Sequence, residues 1–95
     1  MVTPFDSKIS VSPDVMVRQV GGESVVLDLT TERYLGIDEV GTRMWQLLFG
    51  ADSIEAAYRS LLAEFDVEDE QLRRDLDDFV QELLQLGLIQ LEPQP

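Results

Sequence analysis

The chain has 95 residues and a formal net charge of -12, from 19 acidic against 7 basic side chains, and it has neither histidine nor cysteine. That composition excludes a disulfide framework, a zinc finger, a Cys–His nucleophile and an imidazole base. The charge argues against nucleic acid and anionic membrane surfaces as partners, and the 44% hydrophobic fraction argues against disorder.

From the N-terminus, Met1 to Ser10 places Asp6, Ser7 and Lys8 where a signal peptide would need an apolar stretch. No later run is long enough to span a membrane. With no cysteine in use, the expected location is cytoplasmic. Val15-Met16-Val17 and Val20 precede Gly21-Gly22, and Ser24 to Leu29 follow. A Gly-Gly pair between β-branched runs marks a tight hairpin. Thr30-Thr31-Glu32 breaks the pattern, and Arg33 to Ile37 forms a third strand. The expectation is an antiparallel three-stranded meander over about 15–37.

The period then changes. Asp38 is placed to cap a helix carrying Val40, Met44, Leu47 and Leu48, which Gly50 ends. Asp52 with Glu55 reads as a capping box for a second helix, whose apolar face is Ile54, Ala57, Tyr58, Leu61 and Leu62. Asp66 is expected to cap a third helix, with Leu72, Leu76, Phe79, Leu83 and Leu86 on one face and Gly87 closing it. Leu88-Ile89 returns to the core, and 93–95 reads as a flexible tail. The fold class is thus α+β, winged-helix-like: a three-stranded antiparallel sheet, then helices over about 38–87, in a single domain spanning 1–92.

No catalytic set emerges. Asp75, Asp78 and Glu82 lie along one helix face, with Asp77 beside them, and carboxylates so arranged cannot converge on a metal or a substrate. No metal site or cofactor is expected. Asp52-Ser53-Ile54 resembles the phosphopantetheine attachment motif of acyl carrier proteins, with Ser53 as the modified residue. The strands at 15–37 conflict with the helical bundle of a carrier, so this is the alternative reading. The third strand ends the meander, and an open edge there would accept an extended peptide. Leu72, Leu76 and Phe79 read equally as core or as groove lining.

The order of motifs resembles the PqqD-like family of peptide-recognition domains. The residues that carry the resemblance are Ser12-Pro13-Asp14-Val15, Val26-Leu27-Asp28-Leu29 before a Thr-rich turn, and Tyr34-Leu35-Gly36-Ile37-Asp38 entering the first helix. Arg73, Asp75, Leu76, Phe79, Leu83 and Gly87-Leu88-Ile89 complete it. Family members often have Leu-Asn where this chain has Ile37-Asp38. The resemblance implies a non-enzymatic winged-helix protein that binds the leader of a ribosomally made precursor peptide as an added strand. It implies backbone contacts from Arg33, Tyr34, Leu35 and Gly36. Apolar contacts would come from Val26, Tyr34, Leu35, Leu72, Leu76 and Phe79, and polar ones from Arg73 and Asp75. Asp28 falls in the same motif. The implied partners are a cysteine-protease-like leader peptidase of a lasso-peptide pathway, or a radical-SAM peptide-modifying enzyme.

Overall fold

The computed structural model describes residues 4–92; the expected tail at 93–95 lies outside them. Elements follow in the order β1 (Lys8–Val11), β2 (Val15–Val20), β3 (Glu23–Asp28), β4 (Tyr34–Ile37), α1 (Glu39–Phe49), α2 (Ile54–Glu64), α3 (Asp69–Gln85) and β5 (Ile89–Glu92). The meander and the three helices follow in the expected order, with the starts of α2 and α3 shifted from the expected caps. Among the described residues there is also a second sheet, an antiparallel pair of β1 with β5. Its two strands come from opposite ends of the chain. Each alternates polar with apolar residues, but a four-residue alternation is too short to read as a strand until its distant partner is known.

The three-stranded sheet has the order β2-β3-β4. Its register aligns Val17 with Val26 and Leu35, and Arg18 with Val25 and Gly36. Side chains alternate between faces along each strand. Val26 and Ile37 are therefore buried on the face toward the helices, while Met16, Val25 and Tyr34 are exposed on the opposite face. The core joins that inner face to Met44, Leu48, Ile54, Leu61, Leu76, Val80, Leu83 and Leu88.

The caps explain where each helix begins and ends. The Asp38 carboxylate accepts a hydrogen bond from Gly41 N–H at 2.8 Å, as expected. In α2 the cap is Ser53, not Asp52: the Ser53 hydroxyl oxygen accepts from Ala56 N–H at 3.1 Å. The carbonyls of Ser7 and Phe5 take the N–H groups of Ile54 and Glu55. The N-terminal segment thus satisfies donors that a helix start leaves open, and this tertiary partner moves the cap by one residue. Helix α3 begins at Asp69 rather than just after Asp66. Its N-cap is Glu68, without a side-chain cap bond. Tyr58 donates its hydroxyl to Asp69 C=O, fixing that start from α2. At the other end Gly87 has φ +72. Leu88 N–H donates to Leu83 C=O and Gly87 N–H to Leu84 C=O, a Schellman stop that turns the chain into β5.

Candidate functional site

β4 is an edge strand, and its backbone decides what that edge offers. Leu29 N–H donates to Asp14 C=O, and Asp28 N–H donates to Arg33 C=O. Alternate residues of an antiparallel strand aim their N–H and C=O groups to opposite sides. Asp28, Val26 and Ser24 therefore face β4, and Arg33, Leu35 and Ile37 face back to β3. Tyr34 and Gly36 aim theirs at the open edge, where no described residue pairs with them. An unpaired edge of this kind is a template for another strand.

The turn that delivers β4 is built by Asp28. Its side chain is buried, and Oδ1 accepts from Thr30 N–H at 2.8 Å and Thr31 N–H at 3.2 Å. Thr30 donates its hydroxyl to the Asp14 carboxylate at 2.9 Å, tying the turn to the start of β2. Asp28 is thus a support of the edge, not a group presented on it. Ser24 and Thr42 share a buried hydroxyl hydrogen bond of 2.9 Å, which fixes β3 against α1.

The flank of α3 facing outward can now be assigned. Asp75, Asp78, Phe79, Gln81, Glu82 and Gln85 line an open depression of about 490 Å³. Arg33 donates to Gln85 C=O at 3.4 Å, linking the entrance of β4 to the end of α3. Asp75 is held by Gln71, whose amide donates to Oδ1 at 2.9 Å. Phe79 is half-buried, one side on the core and one side toward this depression.

The residues singled out from sequence therefore separate into groups. Tyr34, Leu35 and Gly36 form the edge, and Arg33 adjoins it. Asp75 and Phe79 lie on the acidic depression of α3. Val26 and Leu76 are wholly buried, and Leu72 is 4% exposed. These three belong to the core beneath the site. Arg73 points the other way: its guanidinium donates to Glu55 at 3.0 Å and lies 4.3 Å from the centre of the Phe5 ring and 4.9 Å from that of Tyr58. Sequence reasoning missed Asp78, Glu82 and Gln85 as depression lining. The i, i+4, i+7 spacing from Asp78 was the available signal.

Among the described residues no group of three or more Asp or Glu side chains could hold a metal ion. No helix of the described residues is long and apolar enough to cross a membrane. The Ser53 hydroxyl is occupied as a helix cap, and the surrounding architecture is not a carrier bundle.

The family model described as Coenzyme PQQ synthesis protein D (PqqD) matches residues 23–89. The solved structure of TbiB1 in complex with the TbiA(beta) leader peptide is similar with 34% identity and a TM-score of 0.77. That similarity covers 84% of this chain and 93% of TbiB1. Lasso peptide synthetase B1, solved with its leader peptide, shares the fold at a TM-score of 0.78 and 23% identity, over 87% of this chain and 98% of that one. No curated protein sequence matches.

Proposed function

We propose, on the premise that this chain belongs to the PqqD family, that it is a non-catalytic recognition protein for the leader of a ribosomally made precursor peptide of the lasso type. The leader adds as a strand beside β4 and lies along the outward flank of α3. The observation that carries this reading is the open edge of β4. Tyr34 and Gly36 offer two N–H and two C=O groups there, and the Arg33 bond to Gln85 C=O connects the start of β4 to the α3 residues that line the depression. Main-chain hydrogen bonds supply affinity in strand addition, and flanking pockets supply specificity. The likeness to TbiB1, a protein solved with a bound leader peptide, supports the same conclusion.

The residue roles follow from placement. Arg33 to Gly36 provide the edge; Leu35 and Phe79 provide apolar contact, and Asp75 polar contact. Val26, Leu72 and Leu76 hold the floor from within the core, and Asp28 holds the turn. The chain then presents the bound precursor to a cysteine-protease-like leader peptidase, or to a radical-SAM enzyme in the related pathways. Such a role belongs in the cytoplasm.

The test is titration with a synthetic peptide spanning the cognate leader, against two proline variants. Gly36→Pro removes an N–H aimed at the open edge and leaves the β3 ladder intact, which edge strands tolerate. It is expected to stay folded and lose leader binding. Leu35→Pro removes an N–H facing β3 and is expected to lose the fold. Tight leader binding by folded Gly36→Pro would sink the strand-addition reading.

A further inference from the structure

Arg33 joins two elements that are far apart in the chain. Its backbone is fixed on both sides: Asp28 N–H donates to its C=O at 2.9 Å, and its own N–H donates to Thr31 Oγ1 at 3.3 Å. Its guanidinium donates to Gln85 C=O, the last carbonyl of α3. The last turn of that helix has no basic residue of its own. Arg33 therefore supplies the cation that a helix C-terminus favours.

That bond leaves most of the guanidinium unused. Arginine has five N–H donors in a fork that fits a carboxylate. Arg33 makes no ion pair among the described residues, although Glu32 precedes it and Glu82 lies one turn before Gln85. Its partner is a neutral carbonyl, and its charge is left unmatched beside a flank that carries Asp75, Asp78 and Glu82.

A strand added at β4 brings one side chain to this cation. All pairing in the three-stranded sheet is antiparallel, and the added strand is taken in the same sense. Tyr34 aims its N–H and C=O at the open edge, so the leader residue across from it forms the hydrogen-bonded pair. Tyr34 is exposed on the outer face, and that leader side chain points outward with it. The next leader residue, toward the leader's C-terminus, stands across from Arg33. Arg33 shares the inner face with Leu35, two residues on, and its reach to α3 agrees with that placement. The pair it forms with the leader is of the non-hydrogen-bonded kind, with Cα atoms about 4.5 Å apart and side chains in contact. Opposite charges so placed attract. Farther along the flank an acidic leader side chain faces Asp75, Asp78 and Glu82; across from Arg33 it meets a guanidinium.

From this we infer that Arg33 is a specificity-determining residue that pairs with an acidic side chain of the leader, one position C-terminal to the residue across from Tyr34. The inference rests on the strand-addition reading. The carboxylate, Arg33 and Gln85 C=O then form one clasp over the leader, the start of β4 and the end of α3. The clasp fixes the register of the added strand, which main-chain bonds alone leave free to slip.

The experiment is calorimetric titration at low ionic strength. Synthetic cognate leader, and variants with each Asp→Asn or Glu→Gln in turn, are titrated into wild type, Arg33→Met and Arg33→Glu. One acidic position is expected to lose about fivefold in affinity on neutralisation with wild type, and less than about twofold with Arg33→Met. Arg33→Glu is expected to weaken the unmodified leader and to be rescued by lysine at that same position. A merely structural role for Arg33 does not produce that rescue. Equal losses with wild type and Arg33→Met at every acidic position, or no rescue of Arg33→Glu, would overturn the subsite while leaving strand addition standing. No binding of the unmodified leader to wild type would overturn both. Arg33 is exposed, and its backbone bonds do not depend on its side chain. Should Arg33→Glu nevertheless melt far below wild type, the comparison of wild type with Arg33→Met decides alone.

Discussion

Single residues in this chain divide by the direction they point, and two of them make the division measurable. Asp28 accepts two backbone N–H groups from within a buried site. Replacing it with alanine strands those donors, at a cost of about 1–3 kcal/mol. Urea denaturation of Asp28→Ala is expected to show that loss, and Asp28→Asn, which keeps Oδ1, to recover most of it. Arg73 and Phe79 sit six residues apart on one helix yet face different neighbours. Arg73 stacks on Phe5 and Tyr58 and pairs with Glu55, a side chain that is one-third exposed. Arg73→Ala is expected to lower stability by about 1 kcal/mol and leave leader affinity unchanged. Phe79→Ala is expected to weaken leader binding at least about fivefold, with a smaller stability loss than the 2–5 kcal/mol of a fully buried truncation. The reverse pattern, affinity falling with Arg73→Ala and not with Phe79→Ala, would put the groove on the other flank of α3.

At the scale of elements, α1 and α2 are joined on the surface by a forked pair. Arg43 Nε and Nη2 both donate to the Glu64 carboxylate, the shortest contact being 2.7 Å. These hydrogen bonds hold the Glu64 carboxyl below its ordinary value and raise that of Arg43. A carboxylate lowered in the folded state contributes stability that is fully present above its unfolded pKa. The contribution is lost as pH falls through the folded value. Wild type is therefore expected to exceed Glu64→Gln in stability at neutral pH, with the gap closing in acid. Exposure makes the gap small, and salt shrinks it further. A gap constant from neutral pH into acid, followed by thermal melting, would show that the pair contributes nothing through its charge. The elements themselves follow short-range rules. The Gly21-Gly22 turn, the Asp38 cap and the Gly87 stop each lie where local conformational preference puts them.

Over the whole molecule the charge is uneven. Residues 1–37 carry a net -2 and residues 38–95 a net -10; Asp66 to Glu82 alone carries -6. That acidic segment includes Asp75, Asp78 and Glu82 around the α3 depression. A winged helix that binds DNA needs positive charge on its helical half, so this distribution turns the fold to another partner. The field favours basic leader residues or a basic docking face on the processing enzyme. Leader affinity is accordingly expected to fall when salt is raised from about 0.1 M to 1 M, as the screening length drops from about 10 Å to about 3 Å. An affinity indifferent to salt would limit recognition to backbone and apolar contacts.

The sequence alone was enough for whatever depends on neighbours in the chain. Periodicity located the meander and the three helices, and composition excluded disulfide and imidazole chemistry and argued against nucleic acid. The order of motifs pointed to the family that the comparisons then identified. What it left open depends on groups far apart in the chain. The pairing of β1 with β5 joins the two ends, and the carbonyls of Phe5 and Ser7 shift the α2 cap from Asp52 to Ser53. The same holds for the site. Periodicity put Leu72, Leu76 and Phe79 on one stripe, and only packing made the first two core and left the third half-open. Nor does strand alternation say which residues of an edge face outward. That was settled by the bond from Asp28 N–H to Arg33 C=O, which turns Tyr34 and Gly36 to the open side. Local preference fixes an element; long-range hydrogen bonding and burial fix which of its faces remains for a partner.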